Sequence, residues 1–450
     1  MLRSHPWLNR LRALLGSSKA RFALGEALAS HDAHAAAFPF FARAAAAGLR
    51  QAQYRLGRSY LLGLGVPPSI GEALRWLRRS AEAGETAAQT QLAALALQGV
   101  SDDGAAGLFH DGSQEAASDY ETAERWCRKA VAAGSAEAKV LLGFILTAGP
   151  ESRRDPAAGE SLYREAAQAG WSRGKLGLAM TLLRDGTTEH AAESVALLQS
   201  AATDGVAVAH HLMGMLAESG AAGSVDFTAA AASYKAAAEL GHPQAQVRYG
   251  FALLLGRGIE RNVFNAETWL RRAALAGDAQ AAAVVGFLYA RDGELPPNYA
   301  EAATWLRRAA EAGHTGAARI LGRMLLLGTG IPKDVAEAAH WLRIAAANGE
   351  ETARADLVRL ALTRGVGVDD QAAVASLLRQ DAAAGDRAAQ FDLGLCLAQG
   401  IGVEQDDRAA FAWVRRAAEA GHPEATRMLA QLAERGECEP AGAETGATSC

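Results

Sequence analysis

GHPQAQVRYGFALLLGRGIERNVFNAETWLRRAALA, residues 241–276, holds one complete structural plan. Gly241 ends one helix, because glycine enters the left-handed conformation of a helix C-terminus without the steric cost that a Cβ brings. Pro243 opens the next in its first turn, where a missing N–H removes no intrahelical bond. Ala245, Tyr249, Gly250 and Leu253 recur at helical spacing and share one face, which predicts a first helix. Gly256-Arg257-Gly258 breaks it. A second amphipathic run, with Ala266, Trp269, Leu270, Ala273 and Ala274 on its apolar side, predicts a second helix that Gly277 stops.

The plan repeats in both directions. Its closing glycine recurs at Gly48, Gly84, Gly134, Gly170, Gly205, Gly241, Gly277, Gly313, Gly349, Gly385 and Gly421; eight of the ten intervals are 36 residues and the others are 50 and 35. Four residues after each stands Ala or Gly, which lets two helices cross with their backbones close. Eight residues after each the position is always apolar, and one residue later it is mostly Gly. Eight residues before it stands a large side chain in most units, including Trp76, Trp126, Trp269, Trp305, Trp341 and Trp413. Tryptophans fixed in register with the helix pattern are expected in the core rather than stacked on a ligand.

These residues carry a family resemblance. Ala-x-x-x-Leu-Gly, then Gly-x-Gly-Val or Gly-x-Gly-Ile, then Trp-Leu-Arg-Arg-Ala-Ala-x-Ala-Gly resembles the Sel-one-like repeat, a slightly longer relative of the tetratricopeptide repeat, from about Ala33 to Arg435. The resemblance implies an all-α, tetratricopeptide-like solenoid: a right-handed superhelix of about ten antiparallel helix pairs. Proteins of this family mostly act as adaptors in membrane-associated quality control, bacterial envelope assembly and signalling.

At 450 residues the chain would ordinarily make two or three globular domains, but a repeat array reads as one solenoid in which each unit leans on its neighbours. Hydrophobic content of 50% with 6% aromatics suits thin, closely spaced Ala-rich helices. A net charge of −5, from 45 basic and 50 acidic residues, gives no electrostatic reason to bind nucleic acid. Residues 1–30 carry Arg3, Arg10, Arg12, Lys19 and Arg21 before the first acid, Glu26, with Trp7, Leu8, Leu11, Leu14 and Leu15 at helical spacing. This basic amphipathic segment reads as a cap on the first repeat, with membrane-surface contact or a targeting peptide as alternatives. No run of 18 apolar residues predicts a transmembrane helix. His31–Ala47 reads as the second helix of an incomplete first unit, and the repeat array occupies residues 31–435. The interval of 50 places 14 extra residues within 99–119, between two helices. Its Asp102, Asp103 and Asp111 lack the spacing of an EF-hand loop, which leaves a flexible, partner-facing loop. The tail 436–450 reads as disordered.

Chemistry is scarce. Cys127, Cys396, Cys438 and Cys450 form no pair that recurs per repeat. Some secreted relatives carry a disulfide in nearly every unit and are associated with penicillin binding or β-lactam hydrolysis; this chain departs from that pattern. Cys127 and Cys396 lie inside predicted helices as packed thiols. Ser172-Arg173-Gly174-Lys175 matches Ser-x-x-Lys, without the Ser-Asp-Asn or Lys-Thr-Gly that accompany it in β-lactamases. The Gly-x-Gly pairs at Gly63/Gly65, Gly256/Gly258, Gly328/Gly330, Gly365/Gly367 and Gly400/Gly402 follow helices rather than strands and terminate them rather than cradle phosphate. His210-His211 has no Cys or carboxylate at ligand spacing. No catalytic residue, cofactor or metal is expected.

By analogy with tetratricopeptide arrays the first helices line a concave face, and positions six and ten after each closing glycine point into it. The resulting groove holds Tyr54, Arg58, Phe144, Met180, Met215, Phe251, Phe287, Arg319, Arg323, Arg359 and Phe391. Its apolar side chains can hold a peptide's anchors and its guanidinium groups can grip carboxylates. The alternative is that the apolar positions pack between helices and the arginines pair with neighbouring acids. The expected function is a cytoplasmic, non-catalytic adaptor for protein or peptide partners. A β-lactamase-like hydrolase and a membrane-linked regulator held by residues 1–30 are the other readings.

Overall fold

The structure, a computed structural model, describes residues 16–100, 118–185, 188–221, 223–362 and 368–434. Among them stand twenty-three α-helices, one 3-10 turn at Glu151–Arg153 and no strand. The chain divides into two compact units, Met1–Asp226 and Phe227–Cys450. The expected insertion loop lies almost wholly outside the described residues, and so do the tail 436–450, residues 1–15, Cys438, Cys450 and the Gly365/Gly367 pair.

In the first unit five helix pairs follow one another: Ser18–Ala29 with His34–Ala46, Arg50–Leu62 with Ile70–Glu82, Thr86–Leu97 with Tyr120–Ala132, Ala136–Ala148 with Pro156–Gln168, and Ser172–Asp185 with Thr188–Thr203. Ala207–Ser219 comes last. The second unit begins with Phe227–Glu239 and continues through Pro243–Leu255 with Val263–Leu275, Ala279–Tyr289 with Tyr299–Glu311, and Thr315–Leu327 with Val335–Ala347. Glu351–Leu362 with Val368–Ala383 and Arg387–Gln399 with Asp407–Glu419 follow, and Pro423–Glu434 is its last helix.

Each junction is built by the residues that announced it. Gly241 has φ +84°, its N–H donates to the Ala238 carbonyl and the His242 N–H to that of Ala237, closing the helix before it. The His242 side chain then accepts from the Ala245 N–H at 3.2 Å on Nδ1 and caps the next helix. All eleven closing glycines have positive φ. Gly256, Gly328 and Gly400 end first helices in the same left-handed conformation.

The core interlocks through one recurring pair. A Cβ on Gly250 would stand 2.7 Å from Leu270 Cγ, one on Gly286 2.7 Å from Leu306 and one on Gly322 2.8 Å from Leu342. The glycine opens a notch on the first helix and the leucine of the second fills it, fully buried. Each such leucine contributes roughly 1.5–3 kcal/mol by burial alone. The same notch at Gly25 receives Phe41, so Ser18–Ala29 supplies a first helix to the unit that the sequence left incomplete. Its glycine, Gly16, stands 32 residues before Gly48 and falls outside the period.

Successive second helices are tied by a salt link in register. Arg271 reaches Glu301 at 2.6 Å and Arg307 reaches Glu337 at 2.8 Å, while the same glutamates accept from the indole N–H of Trp305 and Trp341. The indole rings of Trp76, Trp126, Trp269, Trp305 and Trp413 each lie under an Arg or Lys three residues on. The in-register tryptophans are thus packed and bonded within the protein, buried or half-buried. At the insertion, the Ser118 hydroxyl donates to the Leu97 carbonyl and Asp119 caps the following helix through the Thr122 N–H, so the helix pair on either side is intact.

Candidate interaction surface

Positions six and ten after the closing glycine behave differently. Position six packs: His211, Val247, Ala283 and Phe391 are buried. Phe391 lies stacked under His422 with ring centroids 4.7 Å apart. Position ten projects. In the first unit Phe144, Met180 and Met215 stand on three successive first helices with 43%, 48% and 42% of their surface exposed. Water tolerates one large apolar side chain readily; three in the same register form a stripe. Tyr54 and Arg58, farther up the first unit, are half-buried and contact each other, guanidinium over ring at 5.9 Å.

In the second unit Phe251 and Phe287 meet in a groove of about 470 Å³. Leu254 joins them from Pro243–Leu255, Val284 and Leu288 from Ala279–Tyr289, and Ile320 from Thr315–Leu327. Ala290 and Arg291 complete the described lining. The sequence analysis grouped Arg319, Arg323 and Arg359 with these aromatics; none of the three lines the groove. Arg319 bonds Glu350 at 2.9 Å, Arg323 faces Asp356 at 3.5 Å, and Arg359 faces the same carboxylate at 3.9 Å.

Side chains with chemical potential have structural partners. Ser172 Oγ donates to Asp204 at 2.6 Å and Lys175 Nζ to the same carboxylate oxygen at 2.8 Å, at the exposed start of a helix. The Lys175 contact, then the Ser172 hydrogen bond, hold the Asp204 carboxyl below its ordinary pKa. An ammonium held by a carboxylate is a poor base for the serine beside it. Burial pushes the Cys127 thiol up to about 12 and that of Cys396 to about 11, so neither yields a thiolate at neutral pH. Among the described residues no three His, Cys, Asp or Glu side chains converge as metal ligands. No described helix is long and apolar enough to cross a membrane.

Two features escaped the sequence. Arg291 stands fourteen residues after Gly277, at the end of a first helix, and the same register is Leu255 in the preceding repeat and Leu327 in the following one. Those leucines are 55% and 68% exposed. The signal was present at position fourteen but not in the rows chosen by analogy. Asp392 is the second: burial first, then Asp386 and Glu424, push its carboxyl up to about 6 against the pull of Arg354. Arg354 itself is occupied by Asp381 at 2.5 Å and Asp386 at 2.6 Å.

Comparison with known proteins follows this geometry. A sequence model described as Sel1 repeat matches residues 50–85, 105–135, 136–171, 207–242, 243–278, 279–314, 316–350 and 387–422, more than half of the chain. The solved structure of c5321, a protective antigen of uropathogenic Escherichia coli strains displaying an SLR fold, is 25% identical; the alignment covers 89% of this chain and 83% of that one with a TM-score of 0.57. A Sel1 repeat protein from Oxalobacter formigenes is 28% identical over 52% of this chain and all of its own, with a TM-score of 0.36. The uncharacterized protein NMB1327 of Neisseria meningitidis serogroup B is 28% identical over 237 residues, 49% of this chain. The chain spans about half the length of that curated relative.

Proposed function

The chain belongs to the Sel1 repeat family, and from that premise we propose that it is a non-catalytic scaffold that binds partner proteins on the exposed faces of its first helices. Proteins of such helical repeats are generally interaction scaffolds, and a repeat array offers the extended surface that this work needs. One observation supports placing the contact here: the stripe of Phe144, Met180 and Met215, three large apolar side chains left in water at one register. A side chain buried to fill the core would not recur exposed at each step. The engagement of Ser172 and Lys175 by Asp204 favours the binding reading over an acyl hydrolase. The absence of a recurring cysteine pair, with Cys127 and Cys396 buried as free thiols, supports a cytoplasmic site of action.

The test is quantitative co-purification from native lysate with the wild type and the Phe144→Ser/Met180→Ser/Met215→Ser variant, helicity being matched by circular dichroism. A partner retained by the first and lost by the second supports the reading. Identical partner sets with both would place the contact elsewhere and overturn this assignment. Immunoblots of fractionated cells check the compartment: the protein is expected in the cytoplasmic fraction.

A further inference from the structure

We infer that the groove of the second unit takes an internal segment of a partner protein in which an acidic side chain is flanked on both sides by apolar ones, with Arg291 receiving the acid. The inference rests on the scaffold reading above and names the chemistry of its ligand. The groove's described lining is apolar except for Arg291. Among the described residues Arg291 has no acid or hydrogen-bond partner, whereas Arg319, Arg323 and Arg359 are each spent on a carboxylate of this chain. A ligand that covers the apolar lining takes water away from Arg291, and an unpaired cation resists that. A carboxylate removes the penalty, and a guanidinium binds it in bidentate geometry. Charge complementarity therefore calls for an acid at this point of the ligand.

Position in the repeat decides between an acidic side chain and a chain end. Leu255, Arg291 and Leu327 occupy one register on three successive first helices, so the cation stands between two exposed leucines. A ligand whose terminal carboxylate met Arg291 would stop there and leave one leucine uncovered. A segment that continues covers both. With neighbouring helices roughly 10 Å apart and an extended chain advancing about 3.3 Å per residue, the acid falls about three residues from each apolar anchor.

The probe is a set of fluorescein-labelled, C-terminally amidated peptides, Leu-x-x-Z-x-x-Leu, with Z as Glu, Gln or Lys and x an equimolar mixture of residues. Binding to the full chain is read by fluorescence anisotropy, with circular dichroism on every variant. The Glu peptides are expected to bind at least tenfold tighter than the Lys peptides. Arg291→Glu is expected to invert that preference, and Leu255→Ser/Leu327→Ser to weaken both. Equal binding of Glu and Lys peptides that is nonetheless lost with the leucine variant overturns the acidic ligand while leaving the scaffold reading intact. Tighter binding of versions ending in a free carboxylate immediately after Z overturns the internal segment. No binding at all, or binding unmoved by either variant, overturns the inference, and the scaffold reading is then judged by the co-purification on the first unit alone.

Discussion

Gly241 and Gly258 share a left-handed backbone, φ +84° and +70°, yet they do different work. A Cβ at Gly241 would meet nothing within 4 Å; one at Gly258 would stand 1.9 Å from the Phe227 carbonyl oxygen. Gly402 meets Gln371 and Gly65 meets His34 in the same way, at 2.0 and 2.4 Å. The second glycine of each pair is the point where a loop lies against the start of the preceding repeat's second helix. Gly241→Ala is expected to cost about 1–2 kcal/mol through backbone strain. Gly258→Ala adds the backbone overlap and should lower the urea midpoint distinctly further. The sequence marked both as helix breakers, which holds for the first of each pair; a residue 31 positions away decides the second. Asp392 makes the opposite point, since its neighbours push it toward the protonated form. Its folded pKa of about 6 lies above the ordinary carboxylate value, so burial of the ionised form opposes folding above about pH 6 and the opposition fades as pH falls toward 4. Asp392→Asn is expected to stabilise by up to about 3 kcal/mol at pH 7.5 and by little at pH 4, as urea melts at the two pH values would show.

Helix ends were legible because their chemistry is local. The ring of His242, at such an end, caps its helix through a bare Nδ1, and burial lowers its pKa. Protonation there would cost the cap and set a positive charge against the positive end of the helix. The folded state thus binds fewer protons, and the cap's contribution is complete above the ordinary imidazole pKa of about 6.5 and drains away as pH falls below it. Asn accepts the same bond without titrating. Between pH 7.5 and 5 the wild type should therefore lose about 1 kcal/mol relative to His242→Asn, a difference that paired urea titrations measure. The first helix of the chain's opening pair was less legible: with Gly16 off the period, only the Gly25 notch and the Phe41 that fills it reveal its membership.

For the molecule as a whole, a period of 36 residues carried the fold because nearest-neighbour contacts are the same from repeat to repeat. The surface was harder to read. Two side chains share a groove when they stand 36 residues apart on neighbouring first helices, and an arginine is available only if no acid of the next repeat reaches it. Glu350 and Asp356 removed arginines from the expected groove by that route. Nearest-neighbour coupling also predicts how damage spreads. Leu306→Ala, which empties the notch at Gly286, should cost about 2–5 kcal/mol. Hydrogen exchange should quicken in residues 243–347 and stay unchanged in residues 18–185. Exchange that quickened uniformly along the chain would contradict the one-dimensional picture.

The joint between Leu97 and Ser118 shows what such a plan permits. One repeat is 14 residues longer than its neighbours, yet its two helices meet as the others do, and the count of 36 resumes after it without a shift in phase. A globular core rarely absorbs a change of that size, because its contacts join distant parts of the chain. Here the turn between paired helices works as a port, where evolution or an engineer can splice in new sequence and leave every other repeat unaware of it.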